Sequence, residues 1–258
     1  MLAASVLTLS LLGSNSISAG DYPGQVTMIA GYDYSSGDFG QKTNTDIQFL
    51  PVTLKYDTHR WAAKIVFSYL LITGPDNIII VGGDGTTVVG EEQRRTTSKG
   101  PGDTIASLTY KSEALFLGRT YIDLTAKIKI PTASKENRLG TGKSDFAAQV
   151  DLLHDLGPWT PFAAIGYRFL GEAANLSLTS GYFVSLGADY RLNDRWSGGA
   201  IFDYRVASSK TSDDAMELIP YATLRLTPTT SLNGYAVVGF SNGSPDRGLG
   251  IQLIYKVP

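Results

Sequence analysis

The chain has 258 residues, a formal net charge of −2 and no cysteine, so disulfides, thiolate zinc sites and a cysteine nucleophile are excluded together. No basic cluster stands out, which removes the electrostatic footprint of nucleic-acid binding. Twenty-eight glycines and fourteen tyrosines against three methionines lean toward strands and turns.

The chain opens apolar from Met1 to Leu12 and turns small and polar through Ser14, Asn15, Ser16 and Ser18 to Ala19 and Gly20. An apolar stretch followed by small residues predicts a secretory signal over 1–19 and a mature domain over 20–258, although the basic head of such a signal is missing. Downstream, no apolar run approaches the ~18 residues that a transmembrane helix needs. If the chain spans a membrane, it does so with strands.

Period-two alternation, bounded by Gly, Pro, Asn, Asp or Ser, marks twelve segments: 25–34, 46–57, 60–72, 102–112, 118–130, 144–154, 158–170, 178–191, 195–207, 215–227, 231–241 and 247–257. In the fifth, Ile122, Leu124, Ala126, Ile128 and Ile130 share one face, and Tyr121, Asp123, Thr125, Lys127 and Lys129 the other. The eighth sets Tyr182, Val184, Leu186, Ala188 and Tyr190 against Ser185, Gly187, Asp189 and Arg191. The ninth sets Trp196, Ala200, Phe202 and Tyr204 against Asp203 and Arg205. Leu249, Ile251, Leu253, Tyr255 and Val257 in the last oppose Gln252 and Lys256.

A soluble sheet with one wet face also alternates. Length and aromatic placement discriminate, because ordinary strands average about five or six residues and a tilted membrane strand needs about nine to eleven. Trp61, Tyr69, Tyr182, Tyr190, Trp196 and Tyr204 stand near the ends of apolar faces, where interface aromatics of a barrel belong. The links alternate as well. Tight turns fall at Asp57 to Arg60, Gly157–Pro158, Asn193–Asp194 and Thr227 to Thr230, and longer links between them, the longest over 73–101. Short turns on one side and long loops on the other are the pattern of an up-and-down transmembrane barrel, and this order puts both termini on the periplasmic side.

Around the centre of the chain, Gly102 and Asp103 open a strand, Lys129, Ile130, Pro131 and Thr132 end one, and the loop Leu139, Gly140, Thr141, Gly142 leads to Ser144 and Asp145, with Gly166 and Tyr167 beyond. In these residues, about a third of the chain, the sequence resembles the outer-membrane barrel family labelled putative MetA-pathway of phenol degradation. That resemblance implies a Gram-negative outer-membrane location, uptake of aromatic or hydrophobic compounds, and no catalytic residues. The chain departs from the usual aromatic end of such barrels, closing on Tyr255, Lys256, Val257 and Pro258.

Two motifs compete with a transport reading. Residues Asn137 to Ser144 read as a phosphate-binding loop with Asn137 in place of the first glycine, but Phe146, Ala148, Val150 and Leu152 continue with strand period where a helix is required. Gly82, Gly83, Gly85 and Gly90 lack a lysine partner and read as an outer loop. His59 and His154 both sit beside expected periplasmic turns, where solvated or turn-capping histidine is the plainer account.

The sequence therefore predicts an all-β fold, a single antiparallel up-and-down transmembrane β-barrel of about twelve strands. Its expected function is passive passage of small organic solutes through a lumen lined by Lys64, Lys111, Asp123, Lys127, Lys129, Asp145, Asp151, Arg168, Asp189, Arg191, Asp203, Arg205, Glu217 and Arg225, with Tyr221, Tyr235 and, if it faces inward, Tyr110 touching the solute. Mixed signs suit an ion-pair network that closes the lumen as well as a pore. No cofactor, metal or enzymatic step is expected. The expected partners are outer-membrane lipid, a small-molecule solute and the barrel-insertion machinery. The alternatives are a closed barrel acting as a surface-binding platform through its outer loops, the 73–101 link above all, and a lipid hydrolase, for which no Ser and His pair is evident; folding of the 73–101 link into the lumen as a gate is a further expectation.

Overall fold

A computed structural model describes residues 24–82, 85–88, 94–115, 118–173 and 176–258; the expected signal over 1–19 lies outside them. Every regular element described is a strand: β1 (Gln25–Gly37), β2 (Thr45–Asp57), β3 (Trp61–Pro75), β4 (Ile78–Val81), β5 (Gly85–Val88), β6 (Arg95–Pro101), β7 (Thr104–Lys111), β8 (Thr120–Ile130), β9 (Asp145–His154), β10 (Trp159–Phe169), β11 (Gly181–Arg191), β12 (Trp196–Arg205), β13 (Ala215–Arg225), β14 (Thr230–Gly239) and β15 (Arg247–Lys256).

Neighbours in the wall are antiparallel, and β1 pairs with both β2 and β15, so the sheet closes on itself. β6 and β7 both pair with β3, β7 along Trp61 to Val66 and β6 along Tyr69 to Pro75, and they share one place in the wall. Counted so, this is a closed antiparallel barrel of twelve strands, with β4 and β5 as a separate hairpin. The kink between β6 and β7 follows from Gly100, Pro101 and Gly102: Gly100 has φ +154, Pro101 has no amide hydrogen, and Gly102 N donates to Ser68 O at 2.9 Å.

The strand bounds match the alternating segments closely, with one correction. Alternation starts the fourth segment at 102, whereas β6 already runs from Arg95. Arg95, Thr97 and Lys99 face outward there and Thr96, Ser98 and Gly100 inward, as their pairing with Thr73, Ile72 and Leu70 requires. Both faces are polar or small at this height, so the apolar signal on which alternation depends is absent while threonine still favours the strand.

The polarity of the two faces is inverted relative to a water-soluble domain. Leu249, Ile165, Phe169 and Phe146 on the outer parity are more than half exposed (66%, 57%, 54% and 54%), while Glu217, Asp145, Lys129 and Asp203 on the inner parity are buried. Every wall strand except β6 contributes to that outer apolar surface. Trp61 packs edge-on to Tyr110 at 5.1 Å, and Trp159 against Tyr190 at 4.6 Å, near the end with tight turns, where Trp196 also lies. Tyr182 and Tyr204 pair at 5.8 Å toward the loop end, the level at which Tyr69 also stands. Tyr110 therefore faces outward, settling the face the sequence left open.

Tight turns are built locally. At 155–158 Gly157 takes φ +84 and donates its amide to Asp155 Oδ1 at 2.8 Å, a conformation that suits glycine. At 193–195 Asn193 Oδ1 accepts from the amides of Arg195 and Trp196, each at 2.9 Å. His154 Nδ1 lies 2.9 Å from Thr120 Oγ1 beside such a turn. These contacts make the turn end short and firm.

Candidate functional site

The lumen divides into three levels. At the loop end, Ile78 and Ile80 of β4 pack inside the wall against Ile47, Phe49, Val66, Leu70 and Ile72, with Phe39 and Leu139 from two loops. Thus the 73–101 link is not a free outer loop. Its middle part forms a hairpin seated in the barrel, because β2 and β3 turn apolar side chains inward at this height and something apolar must cover them. Asn77 Nδ2 donates to Gln41 Oε1 at 2.9 Å, and Asp76 lies 3.8 Å from Arg94 Nε and 3.9 Å from Arg138, so the base of the hairpin is tied to neighbouring loops.

Below it, two ion triads cross the inner wall. Lys129 Nζ reaches Asp103 at 2.9 Å and Asp145 at 2.8 Å, all three side chains being 3% exposed or less, and also donates to Thr141 Oγ1 at 3.0 Å. The carboxylates hold loops in turn: Asp103 accepts from the Ala133 amide at 3.0 Å and Asp145 from the Gly171 amide at 2.8 Å. Arg205 reaches Glu217 at 3.2 Å and Asp203 at 3.9 Å, and Ser185 donates to Asp203 at 2.5 Å. Taking any one partner out of such a set leaves a buried charge uncompensated.

Between the triads lies a cavity of about 70 Å³ lined by Lys127, Arg168, Gln149, Phe183, Ile105 and Ala147, by members of both triads, and by Gly82 at the turn of the hairpin. Lys127 Nζ donates to Gln149 Oε1 at 2.7 Å and stands 5.6 Å from the centre of the Phe183 ring. Arg168 donates to Ser208 Oγ at 2.8 Å. A second void of about 10 Å³, room for about one water, lies against the same Lys127 and Gln149 and against Lys55, Lys64, Thr109 and Thr125. Lys127 and Gln149 thus separate the chamber from the turn end.

At the turn end, Lys55 pairs with Asp57 at 2.9 Å and Lys111 with the same carboxylate at 3.4 Å. Lys55 stands directly opposite Lys64, and Lys111 opposite Asp123, which in turn faces Asp151. Arg191 and Arg225 are exposed at the last inward positions of β11 and β13.

Each charged residue named from the sequence occupies an inward register position, but they do not form one group. Lys129, Asp145, Asp203, Arg205 and Glu217 belong to the buried triads. Lys127 and Arg168 line the chamber, Lys64, Lys111, Asp123 and Asp151 lie nearer the turn end, and Asp189 belongs to another arrangement altogether. Across six consecutive strands one inner layer reads Asp189, Gly199, Tyr221, Tyr235, Gly250, Asp33, each opposite the next. Tyr221 lies over Gly199 and donates to Asp189 at 2.9 Å; Tyr235 lies over Gly250 and donates to Asp33. Both rings are 6% exposed and packed with Ile201, Ile219 and Val237, so they line the wall as fixed panels. Sequence reasoning missed Asp33, the Lys55–Asp57 pair and Asp103. For Lys55 the inward parity of its segment was a usable signal, whereas Asp103 turns inward at a kink where parity gives no guide.

No protein-family model matches the chain and no curated protein does, so the family resemblance rests on the quoted residues alone. Solved structures of similar shape include the CymD monoaromatic hydrocarbon channel, with TM-score 0.47, 9% identity and 92% of this chain against 88% of that one covered. A Pseudomonas aeruginosa FadL homologue gives 0.45 and 10%, covering 90% and 89%. Salmonella typhi OmpF in complex with daunomycin gives 0.43 and 8%, covering 91% and 97%.

Proposed function

We propose that the chain is an outer-membrane channel for passive passage of small organic solutes, with its tight turns and both termini on the periplasmic side. The inverted barrel supports this reading: an apolar surface with aromatics near both ends encloses charged side chains that a soluble domain would send to water. The channel is closed at the loop end by the β4–β5 hairpin, held by apolar contacts to the inner wall. Apolar seating without a covalent tie lets such a segment leave and return.

Passage of aromatic solutes, which the family resemblance implies, would require that displacement, since the chamber below the hairpin is under half the ~150 Å³ of an apolar cavity that takes benzene. The test is conductance of the refolded mature chain in a planar bilayer, beside a variant with residues 77–93 replaced by a short Gly-Ser linker. Small steps from the full chain and larger, longer-lived ones from the variant are expected, with benzoate blocking the variant more strongly than the full chain. A correctly folded barrel that stays silent with and without the hairpin would sink the channel. The second reading, a closed barrel whose loop end binds a partner, is favoured by the Asp103–Lys129–Asp145 triad, which ties two loops across the inner wall; silence of both proteins would leave that reading standing.

A further inference from the structure

We infer that the outward face of β6 is a seat for a phosphate-bearing lipid of the outer leaflet, whose headgroup is received by the Lys99 ammonium, by the Thr73 and Thr97 hydroxyls and by the open edge of the strand. The inference rests on the membrane placement and orientation proposed above, and not on conductance. Around the wall the outer parity is apolar, but on β6 it reads Arg95, Thr97, Lys99 and Pro101. A cation on the lipid-facing surface is strongly disfavoured within the hydrocarbon and is stable where an anion or water meets it. Lys99 stands opposite Leu71, two positions beyond Tyr69, which is itself opposite Pro101. Two strand residues span about 7 Å, so the ammonium lies just outside the aromatic level, at the height of lipid phosphates. Below it Leu71, Tyr69, Pro101 and Phe67 continue the outer face as an apolar strip that suits acyl chains.

The donors at this height are not used up by the protein. Lys99 has no hydrogen-bond or ion-pair partner among the described residues. Thr73 Oγ1 and Thr97 Oγ1 lie 3.1 Å apart, so their bond uses one of two hydroxyl hydrogens and leaves the other to donate. β6 stands last in the strand order and pairs only with β3. Gly102 N donates to Ser68 O and Asp76 N to Arg94 O, which puts the bonded pairs of β6 at Thr96, Ser98 and Gly100 and turns the amides of Thr97 and Lys99 to the open edge. A lysine attracts phosphate as a point charge, and hydroxyl and amide add directional donors. Arg95 is already engaged: it donates to Asn44 O at 2.7 Å and pairs with Asp46 at 3.3 Å. The outward carboxylate of Asp46, two strands from Lys99, thus has its own cation. An open edge also suits an extended acidic peptide, yet the side chains of β6 point to the bilayer surface, where lipid headgroups stand alongside.

The test is native mass spectrometry of the refolded full chain released from detergent. The probes are bisphosphorylated lipid A, its dephosphorylated form, sodium phosphate and a peptide of alternating Glu and Thr; the proteins are the natural chain, Lys99→Gln, Lys99→Arg and, as a control on the exposed loop after β12, Lys210→Gln. Heat-modifiable gel migration checks that each variant is folded. Retention of one lipid A per barrel is expected, at least fivefold weaker in Lys99→Gln and for the dephosphorylated lipid, and unchanged in Lys99→Arg and Lys210→Gln. Equal retention by Lys99→Gln, equal retention of the dephosphorylated lipid, or an equal loss in Lys210→Gln would overturn the site. Displacement of lipid A by equimolar sodium phosphate would replace it with a free-anion site, and Lys99-dependent capture of the peptide without capture of lipid A with a strand-addition edge. A silent barrel that retains lipid A sinks the channel and leaves this site, whereas a conducting barrel that retains none overturns the site alone.

Discussion

The two halves of the barrel fill the same kind of space in different ways. From β11 round to β1 the inner wall carries the Arg205–Asp203–Glu217 triad toward the loop end and, below it, is covered by its own rings, with Tyr221 and Tyr235 laid over Gly199 and Gly250 and their hydroxyls bonded to Asp189 and Asp33. From β2 round to β10 the filling is a separate hairpin, long cations and carboxylates that reach across strands. A ring lying on a glycine is fixed by the strand that carries it, and it leaves nothing to move. The hairpin is held by side-chain contacts to separate strands, and a lysine reaches its partners through four methylenes. The chamber lies where the two sides meet, lined by Lys127, Lys129 and Arg168 from the second and by Asp203, Arg205 and Phe183, itself laid over Gly166, from the first.

Substitutions can break this contrast on either side. The largest effect is expected for Lys129→Met, which leaves Asp103 and Asp145 buried without their cation; a loss of about 4 kcal/mol should appear in urea unfolding of the lipid-reconstituted barrel. A loss below about 1 kcal/mol would mean that the triad does not hold the loops. Next, Gly250→Val puts a side chain where the Tyr235 ring lies and should break its bond to Asp33, costing about 3 kcal/mol by overpacking together with the lost bond. On the hairpin side Ile80→Asp should lower global stability less, by about 2 kcal/mol, because the hairpin can leave while the wall stays paired. Its larger effect should be on conductance, with longer open times; unchanged open times would show that the hairpin is no gate. The smallest effect is expected for Gly234→Ala, on the outer parity, where an added Cβ meets nothing nearer than 4.0 Å; stability should stay within about 0.5 kcal/mol. Gly234 and Gly250 lie on adjacent strands with opposite faces, so similar costs for the two would refute the ring-over-glycine account.

The reading of Lys129 shows where sequence reasoning stopped. Its place on the charged face of 118–130 was legible, because parity along a strand is local, and the same holds for Lys127 two residues earlier. Nothing local separates the two, yet Lys129 is enclosed by Asp103, Asp145 and Thr141 while Lys127 lines the chamber. The partners of Lys129 come from the kink (Asp103), from the facing position of the next strand (Asp145) and from a loop (Thr141).

By itself, then, the amino-acid sequence determined the twelve positions of the wall and, for nearly every charged residue, which face it takes, because alternation, turn residues and terminal aromatics act within about ten residues of one another; β4, β5 and β6 inside the longest link escaped it. It also determined that one face is apolar along nearly every segment. Tertiary structure decided the rest. Register across six strands aligned Asp189, Gly199, Tyr221, Tyr235, Gly250 and Asp33 into one layer, and closure fixed which inner faces, those of β2 and β3, the inward-folded longest link packs against. Both depend on contacts between residues far apart in the chain, which become neighbours only when β1 meets β15 and the sheet has an inside.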